Sequence, residues 1–400
     1  PQMKADELTS QDFDTNIFFG PIKNFPKNFS NAQRQKLTTA YKEAILKNII
    51  PAYAKMGEFL QTDYLPKART TDGINALPKG NEIYAYYTKS WTTTSKTPEE
   101  INKIGLEQVA MLRAEMEKVK QELGFSGTLE EFITDVKSDP KAMPYKTEKE
   151  VIAAFNQILT KIKPKLRSMF SVNPITPFEI RQTEKFREAT ASAEYIQGTP
   201  DGKRPGIFYM PIPDPTKFNV TSGMESLFLH EAIPGHHYQI SLQQENTNLP
   251  KFMRFGWFGA YGEGWAHYCE TLGPEFGLYT DPYQKMGYLS DQMLRAVRLV
   301  IDTGIHTGKM TREEAIAYFL SNISYDEPSA TAEVERYMAM PGQALGYKIG
   351  SLKIRELREL YEKKLGKKFD LAQFHDEVLN QGCLPLDVLD RKMEIWSKKH

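Results

Sequence analysis

Residues 230–237 read HEAIPGHH, and this stretch decides how the rest of the chain is interpreted. The chain has seven histidines in 400 residues, and three of them, His230, His236 and His237, fall within these eight positions. Neutral imidazole is a good metal ligand, and Glu231 adds a carboxylate beside the first histidine. This clustering predicts a metal centre here.

The spacing of these histidines departs from His-Glu-x-x-His, which places two histidines four apart on one helix face. On an unbroken helix the sixth residue after His230 lies roughly 240° around the axis, and the seventh lies about 10 Å along it. Neither position can share a metal whose bonds are about 2 Å long. Pro234 lacks the amide that would bond back to His230, and Gly235 permits unusual dihedral angles. We therefore predict an interrupted helix with His236, or alternatively His237, as the second ligand. The competing interpretation is a Pro-Gly turn between two helices, with the histidines on the surface.

Residues 262–270 read GEGWAHYCE and supply the carboxylate that a third ligand position needs. Glu263 lies at the distance from the histidines that is typical of the gluzincin class of zinc peptidases. It is the predicted third ligand, and Glu270, two helical turns further on, is the alternative. The glycines on either side of Glu263 allow close backbone approach. The competing interpretation of Glu263 is an exposed glutamate on a helix.

Helix-start signals recur along the chain and predict a mainly α fold. A Ser or Thr followed three residues later by Glu or Gln is the capping-box pattern that begins helices. It occurs at Ser30 with Gln33, Thr97 with Glu100, Thr128 with Glu131, Thr147 with Glu150, and Thr311 with Glu314. Apolar stripes of helical period follow three caps, at Leu37, Tyr41, Ile45 and Ile49, at Leu112, Met116, Val119 and Leu123, and at Val151, Phe155, Ile158 and Ile162. These stripes are interpreted as core packing.

The segment 174–215 has a different pattern. Residues 178–181 and 206–210 are typical of short strands, and GTPDG at 198–202 is a turn signal between them. We therefore predict a small antiparallel β-sheet directly before the metal-binding helix.

Composition limits the classes of partner. The 51 basic and 51 acidic side chains cancel, so no net charge attracts nucleic acid or an anionic membrane. No apolar run approaches the roughly 20 residues that span a bilayer. The chain begins at Pro1 rather than Met, which favours the C-terminal part of a longer protein. We expect one catalytic unit, 1–400, with a helical lobe at 30–172 and a metal-binding lobe at 173–400.

Three stretches together resemble the bacterial domain-of-unknown-function family 885: HEAIPGHHYQ at 230–239, EGWA at 263–266, and RY at 336–337 followed by PGQALGYKIG at 341–350. The resemblance extends from about Leu60 to the C-terminus. Members of this family are regarded as gluzincin-like and distantly similar to thermostable carboxypeptidases and angiotensin-converting enzyme, and many are lipoproteins or exported. The resemblance therefore implies a helical zinc metallopeptidase with a deep cleft and a peptide substrate. It also implies an exported or periplasmic protein, lipid-anchored through a segment upstream of Pro1.

Carried over by motif, the resemblance implies that His230, His236 or His237, and Glu263 hold Zn²⁺ and leave a fourth position for water. Glu231 would take the proton of that water and pass it to the leaving amine.

The developing oxyanion also needs a donor. Tyr337, Arg336, His306 and Tyr347 are the candidates. The competing interpretations are core packing for Tyr337, an ion pair with a neighbouring glutamate for Arg336, and a satisfied interior position for His306. Asn102 departs from the family pattern, which has a histidine at this position.

Three functions compete on these grounds. The first is a zinc metallopeptidase, and the second is a zinc hydrolase of a non-peptide amide or ester, which would use the same ligands. The third is a peptide-binding relative without turnover. The presence of Glu231 favours the first two over the third, because such a relative often loses its general base.

Overall fold

The computed structural model describes residues 8–185, 187–188 and 191–399. Contacts divide the chain into two compact units, Pro1–Thr71 and Asp72–His400. The boundary thus falls between residues 71 and 72, whereas the lobes expected from the sequence meet at 172–173. That the chain forms one catalytic unit stays a prediction.

Within the described part of Pro1–Thr71, three α-helices surround a small apolar cluster. They are α1 (Gly20–Lys23), α2 (Asn31–Ala44) and α3 (Ile50–Phe59), and π-helical turns, Ile45–Ile49 and Leu60–Tyr64, follow α2 and α3. The cluster consists of Phe19, Ile22, Ile45 and Ile50. Of the first predicted stripe only Ile45 is buried, and Tyr41 is exposed. The helix was predicted correctly, but most of its apolar face lies outside the core.

The unit Asp72–His400 is built mainly from helices, as the sequence predicts. Its α-helices in chain order are α4 (Gly80–Thr92), α5 (Pro98–Glu122), α6 (Leu129–Asp135), α7 (Glu148–Met169), α8 (Met224–Glu231), α9 (His236–Glu245), α10 (Lys251–Phe255), α11 (Gly259–Glu270), α12 (Gly273–Phe276), α13 (Pro282–His306), α14 (Arg312–Asn322), α15 (Glu327–Ala339), α16 (Gly346–Leu365), α17 (Leu371–Leu379) and α18 (Leu386–Ser397). None of the described helices combines the length and the apolar character that crossing a membrane requires.

The predicted capping boxes begin the helices they were expected to begin. The side chains of Ser30, Thr97, Thr128, Thr147 and Thr311 each accept a hydrogen bond from the backbone N–H three residues on, and the returning Gln or Glu bond is also formed. These bonds satisfy donors that a helix N-terminus otherwise leaves free. The stripes that follow in α5 and α7 lie in the core, as expected.

The predicted sheet lies before α8, but its topology is mixed rather than antiparallel. Its strands are β1 (Phe178–Gln182), β2 (Glu194–Ile196) and β3 (Gly206–Met210), in the order β1-β3-β2. β1 pairs parallel with β3, and β2 pairs antiparallel with β3. The turn at 198–202 therefore joins β3 to β2, a strand that the sequence analysis missed, and not to β1.

Two long helix pairs support the region around residues 230–270. Helix α11 packs along α16, and α13 packs along α5. In the first pair Gly264 faces Gly350, and a Cβ on Gly264 would lie 2.5 Å from the Gly350 Cα. Only glycines permit this backbone contact. It brings Glu263 on α11 and Tyr347 on α16 to one side of the unit.

Candidate metal centre

The stretch 230–237 is interrupted where the sequence predicts. Helix α8 ends at Glu231 and α9 begins at His236, with a four-residue loop between them. The loop folds back onto the end of α8: a Cβ on Gly235 would lie 1.9 Å from the carbonyl oxygen of His230. Position 235 therefore requires glycine. The indole N–H of Trp265 donates to the Pro234 carbonyl at 2.9 Å and ties the loop to α11.

This loop brings two histidines and one glutamate together. Nε2 of His230 lies 3.6 Å from Oε2 of Glu263, and Nε2 of His236 lies 3.5 Å from the same oxygen. The ligand atoms of all three residues lie within 4.8 Å of one another. In a tetrahedral zinc site with bonds of 2.0–2.1 Å, neighbouring ligand atoms stand about 3.3–3.4 Å apart. The spacing of the three side chains therefore fits a metal of this kind.

The electrostatics of the three side chains favour a cation. Burial alone would lower the pKa of His230, but Glu263 and Glu270 outweigh it and raise that pKa to about 10. Burial alone would raise the pKa of Glu263, but His236 and His230 outweigh it and hold that pKa well below its usual value. Positive charge is thus stabilised among these groups. Nδ1 of His236 is buried and has no hydrogen-bond partner among the described residues.

Glu270 lies behind His230 rather than beside the other ligand atoms. Its Oε1 is 2.7 Å from Nδ1 of His230, so it contacts the ring nitrogen that faces away from Glu263. Its other oxygen accepts from Nε2 of Gln292 at 2.9 Å, and Nζ of Lys348 donates to that glutamine at 2.8 Å. The alternative ligand named from the sequence therefore orients a histidine in this structure.

His237 is separated from this group. Its Nδ1 lies 3.0 Å from the hydroxyl of Tyr195, and its ring packs against Phe178. Burial lowers the pKa of His237 to about 4. Of the two histidines left open by the sequence, the structure places His236 with His230 and Glu263, and gives no support to His237 as a ligand.

A cavity of about 570 Å³ opens next to the three side chains. Glu231 lines it together with His230, His236 and Glu263. Within the described part of the chain, the carboxylate of Glu231 takes part in no hydrogen bond or ion pair. The other lining residues are Ser192, Ala193, Glu194, Tyr195, Ile240, Trp257, Arg295, Arg298 and Tyr347.

Tyr337 and Arg336 are not among the residues that line the cavity. The Tyr337 hydroxyl donates to Glu333 at 2.6 Å and accepts from Nε of Arg298 at 3.1 Å, and the side chain is buried. Arg336 donates to Glu333 at 3.1 Å and to Gln343 at 2.8 Å. Both side chains thus support their neighbours, and the competing interpretations of these two residues fit the structure better.

Tyr347, the fourth donor candidate, does line the cavity. Its hydroxyl has no hydrogen-bond partner among the described residues. Burial and the negative charge of Glu263 raise the pKa of Tyr347, so the hydroxyl keeps its proton at neutral pH. Of the four candidates, Tyr347 is the one that lines the cavity and whose hydroxyl proton has no acceptor among the described residues.

His306 and Asn102 lie away from the cavity. Nδ1 of His306 accepts from the backbone N–H of Ile74 at 3.2 Å, and Nε2 lies 3.0 Å from the carbonyl oxygen of Tyr337. His306 is therefore a satisfied interior histidine, and the geometry gives no support to its predicted catalytic role. The amide of Asn102 donates to Thr303 at 2.8 Å, and Asn102 is not among the residues that line the cavity.

The sequence analysis missed Arg295, Arg298, Tyr195 and Trp257 in the cavity wall. One signal for the arginines was present. They lie three residues apart in a stretch of α13, 293–301, whose other members are all apolar. Charged residues inside an apolar helix are buried only with partners or for function. No local pattern marks Tyr195 or Trp257.

The fold and this site define a mainly helical protein with a candidate two-histidine, one-carboxylate metal centre. The chain belongs to the family described as bacterial protein of unknown function (DUF885), whose family model matches residues 2–393. The match thus begins well before Leu60, where the motifs alone placed its start. No curated protein matches the chain significantly.

Solved structures similar to this chain include two proteins with the same fold. A "putative lipoprotein" from Colwellia psychrerythraea superimposes with a TM-score of 0.90 at 34% identity, over 100% of this chain and 69% of that one. A "putative lipoprotein of unknown function" from Shewanella oneidensis gives 0.69 at 20% identity, over 93% and 68%. A Pyrococcus furiosus carboxypeptidase gives 0.34 at 12% identity, over 94% and 93%, which is too low to indicate a shared fold.

Proposed function

We propose that this chain is a zinc-dependent peptidase that hydrolyses peptide bonds with Glu231 as general base. The observation that carries the proposal is the convergence of His230, His236 and Glu263, with Glu231 in the wall of the same cavity. Two histidines and one glutamate are the ligand set of several zinc peptidases, in which the fourth position stays open for water.

Zinc held by His230, His236 and Glu263 would lower the pKa of a water and polarise the substrate carbonyl. Residues outside the ligand set hold the two histidines in position. Glu270 fixes the orientation and the tautomer of His230, and Gly235 sets the loop that returns His236 to the site. These contacts hold the ligand atoms before any substrate arrives.

Glu231 is positioned to move the proton. It follows His230 directly at the end of α8, and its carboxylate is free among the described residues. It takes a proton from the attacking water and later gives that proton to the leaving amine.

Tyr347 supplies the hydrogen bond to the developing oxyanion. Its raised pKa keeps the phenol protonated, so the hydroxyl donates a hydrogen bond to the oxyanion, which a phenolate would repel. Helix α16 is fixed against α11 by Gly350 and Gly264, which holds Tyr347 at a set position relative to Glu263. A donor fixed in advance needs no reorganisation when charge develops.

A peptide is the substrate that the cavity wall favours. Strand β2 is at one edge of the sheet, and residues 192–195 line the cavity. An edge strand offers backbone N–H and C=O groups to an extended chain, which is how many peptides are bound. A small ester would leave these groups unused.

Export is also part of the proposal. The Colwellia psychrerythraea relative, at 34% identity over the whole chain, is described as a "putative lipoprotein". We propose that the present protein is likewise exported and lipid-anchored.

Digestion of a synthetic peptide library tests the proposed activity. The purified protein is incubated with the library after zinc addition, and the products are mapped by mass spectrometry. We expect cleavage that a chelator abolishes and zinc restores. The control is the Glu231→Gln protein at equal zinc content. Any cleavage that it still shows measures the activity of a contaminating peptidase.

Two results would contradict the proposal. Cleavage that persists in the chelated protein or in Glu231→Gln would come from another source. An intact library combined with zinc-dependent hydrolysis of simple esters or non-peptide amides would move the reaction to the second function considered for this chain.

A further inference from the structure

Arg295 and Arg298 place two guanidinium groups in the wall of the cavity that contains the metal centre. They lie three residues apart on α13, so their side chains emerge from neighbouring positions on one helix face. Neither is a metal ligand or a proton carrier in the proposed reaction. Their presence beside the reacting groups therefore needs another explanation.

Both side chains are largely removed from solvent and held by other residues. The Arg298 side chain is 10% exposed, and it donates to Glu333 at 3.1 Å and to the Tyr337 hydroxyl at 3.1 Å. Its guanidinium carbon also lies 5.0 Å from the ring centre of Tyr347. These contacts fix the orientation of the Arg298 side chain. Tyr337 and Glu333 therefore position Arg298 and have no direct part in the proposed reaction.

Arg295 is less completely paired. Its Nη1 lies 3.3 Å from Asp291, but its Nε is buried and has no hydrogen-bond partner among the described residues. Burial raises the pKa of Asp291 to about 6, so this partner carries its charge less readily than an ordinary aspartate. A buried donor without a partner is costly unless a ligand or water completes it.

The direct carboxylate partners of these arginines are shared. Three guanidinium groups, those of Arg295, Arg298 and Arg336, pair with only two carboxylates, Asp291 and Glu333, and the negative charge of Glu270 also stabilises Arg295. The positive charge of Arg298 also opposes that of Arg295, since the two repel each other. A group with one negative charge placed between them would relieve this repulsion in a region of low solvent exposure, where ionic hydrogen bonds are strong.

We propose that Arg295 and Arg298 form a subsite that binds a carboxylate of the substrate next to the scissile bond. The subsite rests on the proposed peptidase function and specifies its substrate class: peptides with a negative charge near the cleaved bond. Guanidinium groups suit this task, because their planar donors match the two oxygens of a carboxylate. That carboxylate comes either from the C-terminus of the peptide or from an aspartate or glutamate side chain.

Paired peptide libraries test the subsite and distinguish the two sources. One library has free C-termini, a second has the same sequences with C-terminal amides, and a third has free C-termini with Asp and Glu replaced by Asn and Gln. Cleavage rates are compared for wild type, Arg298→Gln, Arg298→Lys and Arg295→Gln. The control is Arg336→Gln, which perturbs the same Glu333 from outside the cavity wall.

We expect wild type to cleave one carboxylate form in preference to its neutral counterpart. Arg298→Gln and Arg295→Gln should reduce that preference by roughly 10- to 100-fold, mainly through KM, as expected for lost ionic hydrogen bonds. Arg298→Lys should retain part of it, since the charge remains. If wild type cleaves the amide library more slowly than the free one, the carboxylate comes from the C-terminus. If it cleaves the Asn and Gln library more slowly, the carboxylate comes from an acidic side chain.

Binding provides a readout that does not depend on turnover. Immobilised Glu231→Gln protein is incubated with the same libraries, and the retained peptides are counted by mass spectrometry. We expect the immobilised protein to retain the carboxylate form preferentially. Combining Glu231→Gln with Arg298→Gln or Arg295→Gln in one chain should abolish this preference. This arm also separates variants that fold poorly, because these lose retention of all libraries together.

Equal cleavage and retention of the carboxylate and neutral libraries would overturn the subsite while leaving the peptidase intact. Loss of the preference in Arg336→Gln, with Arg295→Gln and Arg298→Gln unaffected, would also overturn it. Zinc-dependent cleavage of none of the libraries would remove the proposed function, and with it the place of the subsite in a reaction.

Discussion

The carboxylate of Glu270 lies 2.7 Å from Nδ1 of His230, while Nε2 of the same ring faces Glu263. Helix α11 therefore supplies the candidate ligand Glu263 and, two turns further on, Glu270, which orients the second candidate ligand His230. A histidine that donates its outer N–H to a carboxylate is fixed in its tautomer and binds metal more strongly.

We expect Glu270→Gln to lower zinc affinity by about 10- to 100-fold, because His230 loses its anionic partner. The measurement is a competition titration against a chromophoric chelator. The matched control is Glu263→Gln, which removes a ligand and should weaken binding much further. Equal zinc affinity in wild type and Glu270→Gln would show that this contact does not serve the metal.

We expect Glu231→Gln to keep zinc and to lose peptide hydrolysis. Gln is nearly isosteric with Glu but accepts no proton, so the rate should fall by on the order of 10²–10⁴. Zinc content and kcat are measured on the same preparation. Wild-type turnover in this variant would mean that another group acts as base.

We expect Tyr347→Phe to lower kcat by about 10²-fold or more with unchanged zinc content, because it removes the proposed oxyanion donor. The comparison is Tyr337→Phe, because Tyr337 is also a candidate donor in the sequence and would show a loss of this size if it filled that role. The structure predicts a smaller loss for Tyr337→Phe, expressed through Arg298, because the Tyr337 hydroxyl is already bonded to Glu333 and Arg298. A large kcat loss in Tyr337→Phe alone would make Tyr337, and not Tyr347, the oxyanion donor.

The pH dependence of stability should carry a contribution from Asp302. This residue is fully buried; burial raises its pKa to about 7, although it accepts bonds from Tyr84 and the Gly342 N–H. Because the folded state holds the proton more tightly than the unfolded state, this contribution is present in full below about pH 4 and is lost as pH rises through about 7.

We therefore expect the free energy of unfolding of wild type to fall, relative to Asp302→Asn, by on the order of 2 kcal/mol from about pH 5 to about pH 8. Urea denaturation at fixed zinc concentration measures this difference. Parallel pH curves for the two proteins would contradict it.

Local rules were sufficient for most helix starts and for the interruption between His230 and His236. A capping box such as Thr97 with Glu100 acts within four residues, and the sequence shows it directly. Strand pairing was less accessible. That β1 pairs with β3 in parallel is decided by the path of the chain between them, including β2, whose three residues give too short a pattern to read.

The candidate site divides in the same way. His230, His236 and Glu263 could be named because a motif carries them, although only the folded loop separates His236 from His237. Arg298 and Tyr347 come from helices far apart in the sequence, and tertiary packing alone brings them to one cavity. Tyr337 is not among the residues that line the cavity, and its place in a motif does not reveal which side of α15 it occupies, so its role as oxyanion donor stays a prediction.

Anomalous diffraction at the zinc absorption edge, from crystals grown with one equivalent of zinc, tests the metal centre most directly. We predict a single strong peak bonded to Nε2 of His230, Nε2 of His236 and a carboxylate oxygen of Glu263, at about 2.0–2.2 Å. A peak coordinated by His237, or no peak at these residues in zinc-saturated crystals, would contradict the account.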